Sequence, residues 1–318
     1  MKLSHLRILL ILAVLAAMFT ACKDNKKPEQ PEDTTAMKFL TQANKEFELN
    51  NFESAITNYK KALTMLKYKN NRDGAKKYLN QSYIQLARKS FNNADWKGAI
   101  KYYDKAIEQK DFNMSNSLKS NLLVEKGLCL HQLRRFFHAL ERYREALKLT
   151  PKGKKIHFYM ANAYMSRRQF DLAVAEYKKE IEINPSLAEA YNNCGSAFVA
   201  LNQNTEAIKY FEAALAKNAN YYKAYQNLSS AYSNVGAFGK AIKTYKRLLE
   251  KNPRMKEAYV YMAEIYMIIR DQTRARNYLR VALEKGYNNW NYLLNYSRGL
   301  RKAKEYAWFK KLIKKYKK

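Results

Sequence analysis

The sequence predicts an all-α protein, a solenoid of about seven helix-turn-helix repeats closed by C-terminal capping helices. Three observations carry that prediction. Alanines share one phase at Ala139, Ala173, Ala207, Ala241 and Ala275, each 34 residues after the last, and Ala99 and Ala55 continue the series backwards across insertions of six and ten. Four residues after each alanine stands a large side chain: Tyr59, Tyr103, Tyr143, Tyr177, Phe211, Tyr245 and Leu279. Twelve residues before each alanine stands a small one: Ala43, Ala87, Gly127, Ala161, Gly195, Ser229 and Ala263. Small residues at fixed places let paired helices approach closely, and the large neighbours fill the space towards the next pair.

Composition narrows the alternatives. Three cysteines in 318 residues cannot staple a disulfide framework. Nine glycines and five prolines are too few for an all-β chain of tight turns, and 47% apolar content allows a sizeable core. A formal charge of +31 predicts attraction to anionic partners and says little about fold.

Residues 1–22 form the first element. Lys2 and Arg7 make a basic start, and Ile8 to Phe19 an apolar stretch too short to span a bilayer comfortably. This fits an export signal. Phe19-Thr20-Ala21-Cys22 resembles the lipobox of bacterial lipoproteins, which implies a lipidated Cys22 at the mature N-terminus. Ordinary cleaved secretion and an uncleaved anchor are the other readings of these residues. Cleavage before Cys22 would lower the formal charge from +31 to +29. Residues 23–35 follow as a polar tether with Pro28 and Pro31. Extended at about 3.1 Å per residue, it would reach roughly 40 Å.

The repeats come next, at 36–69, 80–113, 120–153, 154–187, 188–221, 222–255 and 256–289. In each second helix the positions i, i+4 and i+7 share a face, as with Ala139, Tyr143 and Ala146. Pro151, Pro185 and Pro253 close repeats in one phase. Glu180 and Leu248 replace the last alanine of the pattern, so repeats four and six are expected to pack differently there. The 34-residue small–aromatic–alanine–proline pattern resembles the tetratricopeptide-repeat (TPR) family, which implies a superhelix with the first helices on its concave side.

Residues 290–318 form the basic C-terminal cap, with helical patterns expected at about 289–301 and 304–316. Phe309, Leu312, Ile313 and Tyr316 line one face of the last helix. Arg298, Arg301, Lys302, Lys304, Lys310, Lys311, Lys314, Lys315, Lys317 and Lys318 meet only Glu305 in this stretch. A polar-backed cap over the last repeat is one reading, and a basic amphipathic helix on an anionic membrane is the other.

No catalytic residues, metal ligands or cofactor are predicted. His131 and His138 are separated by a repeat turn, His-Glu-x-x-His is absent, and Cys129 and Cys194 read as buried small hydrophobes. No Walker-type loop or nucleophile elbow occurs. Twelve of the 26 tyrosines fall on core phases, so tyrosines interleaved with lysines predict packing before base stacking. No nucleic-acid partner is expected.

The resemblance implies a partner-binding groove. Its positions carry over to Phe158, Asn162 and Met165 in repeat four, and to Asn192, Asn193 and Ser196 in repeat five. Repeat six supplies Gln226, Asn227, Ser230, Ser233 and Asn234. Asn193 and Asn227, 34 apart, resemble two rungs of the asparagine ladder of peptide-binding TPR proteins. Carboxamides both donate and accept, which suits a peptide backbone. A solvated polar face is the plain alternative. The carboxylate clamp of chaperone-binding TPR domains is unmatched, since Phe158, Asn192 and Gln226 stand where its first lysine belongs. The implied function is that of a non-enzymatic adaptor in a bacterial cell envelope, periplasmic or surface-facing. It would bind a protein or peptide in the groove and be held to a membrane by its N-terminal lipid. Charge-driven binding to anionic lipid or an acidic envelope polymer is the alternative.

Overall fold

A computed structural model describes residues 33–109, 112–297 and 299–317. The expected export signal, Cys22 and residues 23–32 lie outside them. The chain divides into two units, up to Tyr83 and from Ile84 to Lys318.

The first unit holds α1 (Thr34–Glu48), α2 (Phe52–Met65) and the start of α3 (Lys69–Asn92). Helix α1 begins inside the expected tether because Asp33 caps it, its carboxylate accepting the Thr35 N–H at 2.7 Å. That hydrogen bond holds the Asp33 carboxyl below its ordinary pKa. The ten-residue insertion is helical and lengthens α3 at its N-terminal end. Arg72 ties it to α2, donating to the carbonyls of Leu63 (3.2 Å) and Leu66 (2.7 Å).

The second unit continues with the rest of α3, then α4 (Trp96–Ile107), α5 (Asn116–Gln132), α6 (Phe136–Leu149), α7 (Ile156–Ser166) and α8 (Phe170–Ile183). After these come α9 (Ala188–Ala200), α10 (Asn204–Lys217), α11 (Tyr222–Asn234), α12 (Phe238–Lys251), α13 (Lys256–Ile268) and α14 (Gln272–Glu284). From α5 onwards each first helix packs along its own second helix, and each second helix packs on the next first helix. First helices also touch one another, α5 with α7 and α9 with α11, and no pair of second helices approaches as extensively among the described residues. The closer row is the inner one, so the first helices line the concave face.

The turn inside each pair shows why the phase holds. Asn50, Ala94, Arg134, Arg168, Asn202, Gly236 and Arg270 all have left-handed backbone, each five residues before a phased alanine. The next N–H donates to the carbonyl five residues back, for example Gln169 to Tyr164 at 2.9 Å and Ala237 to Tyr232 at 2.8 Å. This is a Schellman-type stop, which satisfies carbonyls left open at the helix end. One of the seven positions is glycine, so the motif is nearly invisible to a search for helix-ending glycines.

The core follows the sequence pattern. The phased alanines and aromatics are buried from Ala55 and Tyr59 to Ala275 and Leu279. A methyl group on Gly127 would meet the Tyr143 ring at 2.3 Å, and one on Gly195 the Phe211 ring at 2.7 Å. Glycine therefore sets the spacing of those two helix pairs. Tyr191, Tyr225 and Tyr259 donate to the carbonyls of Pro185, Ala219 and Pro253 at 3.3, 3.2 and 3.2 Å, closing the turns between repeats. Lys217, Arg247 and Lys285 lie over the same three rings. The tyrosine–lysine interleaving here belongs to the packing.

Glu180 repacks the fourth repeat, as its replacement of alanine suggested. Fully buried, it accepts the Lys155 main-chain N–H at 2.8 Å, where Lys155 takes a left-handed backbone before α7. Leu248 is also fully buried.

Beyond α14 the second expected helix forms, while the first gives way to two shorter pieces. A π-helical turn (Tyr292–Tyr296) and a 3-10 helix (Leu300–Glu305) precede α15 (Ala307–Tyr316). Glu264 of α13 causes the break. It accepts from the Tyr292 hydroxyl at 2.8 Å and from the Gly299 N–H at 3.1 Å, drawing the backbone onto α13. A Cβ at residue 299 would lie 2.4 Å from the Glu264 carbonyl oxygen. Leu293, Leu300, Ala303, Phe309 and Leu312 are buried. The apolar face of α15 is thus consumed as a cap, which leaves its lysine face, and not an amphipathic insertion, to any membrane reading. No helix among the described residues is long and apolar enough to cross a membrane.

Candidate functional site

The inner row of the last four repeats is nearly free of charge. Helices α7, α9, α11 and α13 together carry only Glu189, Lys223, Lys256, Glu257 and Glu264 as charged residues, His157 apart. Outer helices α12 and α14 carry eight cations against Glu250 and Glu284.

Carboxamides link the inner helices. Asn227 donates to the Asn192 carboxamide oxygen at 2.8 Å, and Asn192 donates to that of Asn193 at 3.1 Å. Asn193 reaches the Asn162 oxygen at 3.4 Å, and the Tyr177 hydroxyl donates to that same oxygen. The two expected rungs are therefore joined through Asn192. Ser196 lies beside Asn227 at 3.5 Å.

Two expected groove residues sit elsewhere. Phe158 is 5% exposed and packs edge-on against Tyr159 and Tyr177. Asn192 is fully buried, so its role is to hold its neighbours and not to touch a partner. Asn162 and Met165 are half-buried in the row.

The five residues of repeat six do come together. Gln226, Asn227, Ser230, Ser233 and Asn234 line one side of a cleft of about 450 Å³. The other side is Tyr245, Tyr261, Glu264, Ile265, Ile268, Tyr292 and Tyr296. Tyr296 stands at its edge, 71% exposed. Tyr261, Glu264 and Ile268 escaped the sequence reading, yet they lie 34 residues after Asn227, Ser230 and Asn234. Carrying the phase one repeat further would have found them. Tyr292 and Tyr296, outside the repeats, had no such signal. Burial above all raises the pKa values of Tyr292 and Tyr245 far above the ordinary phenol, helped by Glu264 at Tyr292 and by Tyr261 and then Glu264 at Tyr245. Their hydroxyls stay protonated hydrogen-bonding groups at neutral pH.

The described cysteines and all but one of the described histidines are buried or hydrogen-bonded. Burial pushes the Cys129 and Cys194 thiols up to about 12, which removes the thiolate a nucleophile needs. His131 bonds Ser166 at 3.0 Å, His157 bonds Glu176 at 2.6 Å, and His138 is exposed. No group of three metal-capable side chains occurs among the described residues. Of the basic patch, Arg301, Lys302, Lys310, Lys311, Lys314, Lys315 and Lys317 are exposed and Lys304 is half-buried. Arg298 and Lys318 lie outside the described residues.

Three family profiles match this same stretch: a TPR repeat at 161–201, and tetratricopeptide repeats at 198–254 and 227–289. Residues 161–289 carry tetratricopeptide repeats. Among solved TPR structures, one of MamA is 21% identical, covering 56% of this chain and 94% of its own, with a TM-score of 0.49. MamA from Desulfovibrio magneticus RS-1 is 18% identical over 54% and 93%, with a TM-score of 0.48. YrrB, described as a TPR protein with an unusual peptide-binding site, is 19% identical over 59% and 94%, with a TM-score of 0.48. No curated protein matches. A stack of TPR units is a protein-interaction scaffold.

Proposed function

We propose that this TPR protein is a non-catalytic adaptor of a bacterial cell envelope, binding an extended segment of a partner along α7, α9, α11 and α13. The uncharged carboxamide row supports this reading most. In a chain of +31 it offers donors and acceptors without net charge, which suits a peptide backbone. The lipobox-like Cys22 would place it on a membrane as an exported lipoprotein, raising the local concentration of envelope partners. In-cell crosslinking and purification from the envelope fraction test it, with the wild type beside an Asn193→Ala, Asn227→Ala variant. A stoichiometric protein held by the wild type and lost by the variant is the expected result. Equal capture by both refutes the groove reading.

The basic outer face favours a second reading, attachment to anionic lipid or polymer through α12, α14 and the lysine face of α15. Exposed charges are screened beyond about 10 Å at roughly 0.1 M salt. Such attachment would fall steeply with salt and survive the asparagine substitutions.

A further inference from the structure

The groove cleft does not end at Ile268. That residue also lines a second cleft of about 700 Å³, shared by the α13–α14 turn and the C-terminal cap. Arg270, Arg301 and Lys302 line it, with Tyr306 and Gly299 beside them and no acidic side chain. Among the described residues none of the three cations has a carboxylate partner, although Arg274 and Arg280 nearby are paired with Asp271 and Glu284. The backbone beneath two of these cations is anchored. Arg270 sits in the left-handed turn after α13, and Glu264 pins Gly299 two residues before Arg301. The same Glu264 lines the first cleft.

We infer that this second cleft is an anion subsite continuing the groove, and that the partner segment carries aspartate or glutamate next to an uncharged stretch. The inference rests on the groove reading and adds the partner's chemistry to it. Three unpaired cations lining one cleft repel one another, and an incoming carboxylate relieves that repulsion while meeting charge-assisted donors. The uncharged stretch would lie against Asn193, Asn227 and Ser230, and the acidic residues beyond Ile268. Tyr306 and Ile268 give the stems of those residues an apolar surface.

Selection of a random-sequence peptide library on the full-length protein tests this. The enriched peptides are then synthesised and their affinities measured by fluorescence anisotropy. Wild type, Asn227→Ala, Arg301→Glu/Lys302→Glu and Arg301→Gln/Lys302→Gln proteins are compared, with thermal melts confirming that each folds. Enriched peptides are expected to place acidic residues beside an uncharged run. They should bind at least ten-fold more weakly to the charge-reversed variant, and by a smaller factor to the glutamine variant. Enriched peptides without acids, weakened by Asn227→Ala but not by charge reversal, would overturn the subsite and leave the groove standing. No enrichment at all would overturn both. Phosphatidylglycerol vesicles provide the remaining arm. Sedimentation with them that charge reversal abolishes, with peptide affinities unchanged, would assign the cleft to a membrane and refute a peptide subsite.

Discussion

The two helix rows of the second unit share a 34-residue period but differ in what they do with charge. The inner row of α7, α9, α11 and α13 is polar with few charges, and its asparagines satisfy one another across repeats. The outer helices α12 and α14 hold lysines and arginines in excess. Each row needs solubility, and either chemistry supplies it. The sparing use of charge on the face where helices lie closest is therefore the informative one. Lysine there would crowd like charges into a concave space, where separations are short and screening is weakest.

The contrast is broken most forcefully by moving charge inward. An Asn193→Lys, Asn227→Lys protein should lose partner capture at least hundred-fold. Lys243→Gln with Lys246→Gln, on the outer face of α12, should change it less than two-fold. Titration with a peptide from the selection measures both. Comparable losses in the two variants would show that overall charge, and not the inner row, sets affinity.

The next largest effect concerns the spacing between rows. Gly127→Ala drives a methyl into the Tyr143 ring, which is fully buried and stacked on Tyr159. Overpacking of that kind costs about 1–3 kcal/mol. Denaturant unfolding should show this loss, whereas Gly239→Ala, with nothing within 4 Å of the new Cβ, should show none of it. If the two glycines respond alike, side-chain size does not set the separation of the rows.

These contrasts also mark what was legible in the sequence. The phase was, because alanine, aromatic and small residue recur where helices cross, and each crossing repeats the same steric demand. The carboxamide row was visible as residue types, but burial of Asn192 and Phe158 was not. Adjacent helical residues differ by about 100° in direction, and only the neighbouring repeat decides which one faces inward. The break at 292–305 was illegible for another reason. It is made by Glu264, a residue some 30 positions away, and no local pattern records it.

A smaller effect sharpens the turn between rows. Arg168 holds a left-handed backbone that costs a side-chain-bearing residue roughly 1–2 kcal/mol. Gly236 holds the same position two repeats later without that cost. Glycine gives part of the gain back through unfolded-state freedom. Arg168→Gly should therefore raise stability by about 0.5–1 kcal/mol. The same substitution at Gln169, one residue on, should lower it. A gain at both positions would point to charge removal or general flexibility as the cause.

The smallest expected effect lies in a polar tie between the rows. His157 of α7 meets Glu176 of α8 at 2.6 Å, and Lys179 meets the other carboxylate oxygen at 2.8 Å. Burial raises the Glu176 pKa, and the hydrogen bonds from His157 and Lys179 outweigh it, leaving the carboxyl below its ordinary range. Because the two influences oppose, the net contribution is modest. Its sign is definite. A carboxyl with a lowered folded pKa adds stability that is fully present above its unfolded pKa and disappears as pH falls through the folded one. Wild-type protein should therefore lose more stability than Glu176→Gln on going from about pH 6 to about pH 3. Unfolding curves across that window measure the difference, and identical slopes would show that the tie between α7 and α8 is carried by hydrogen bonding alone.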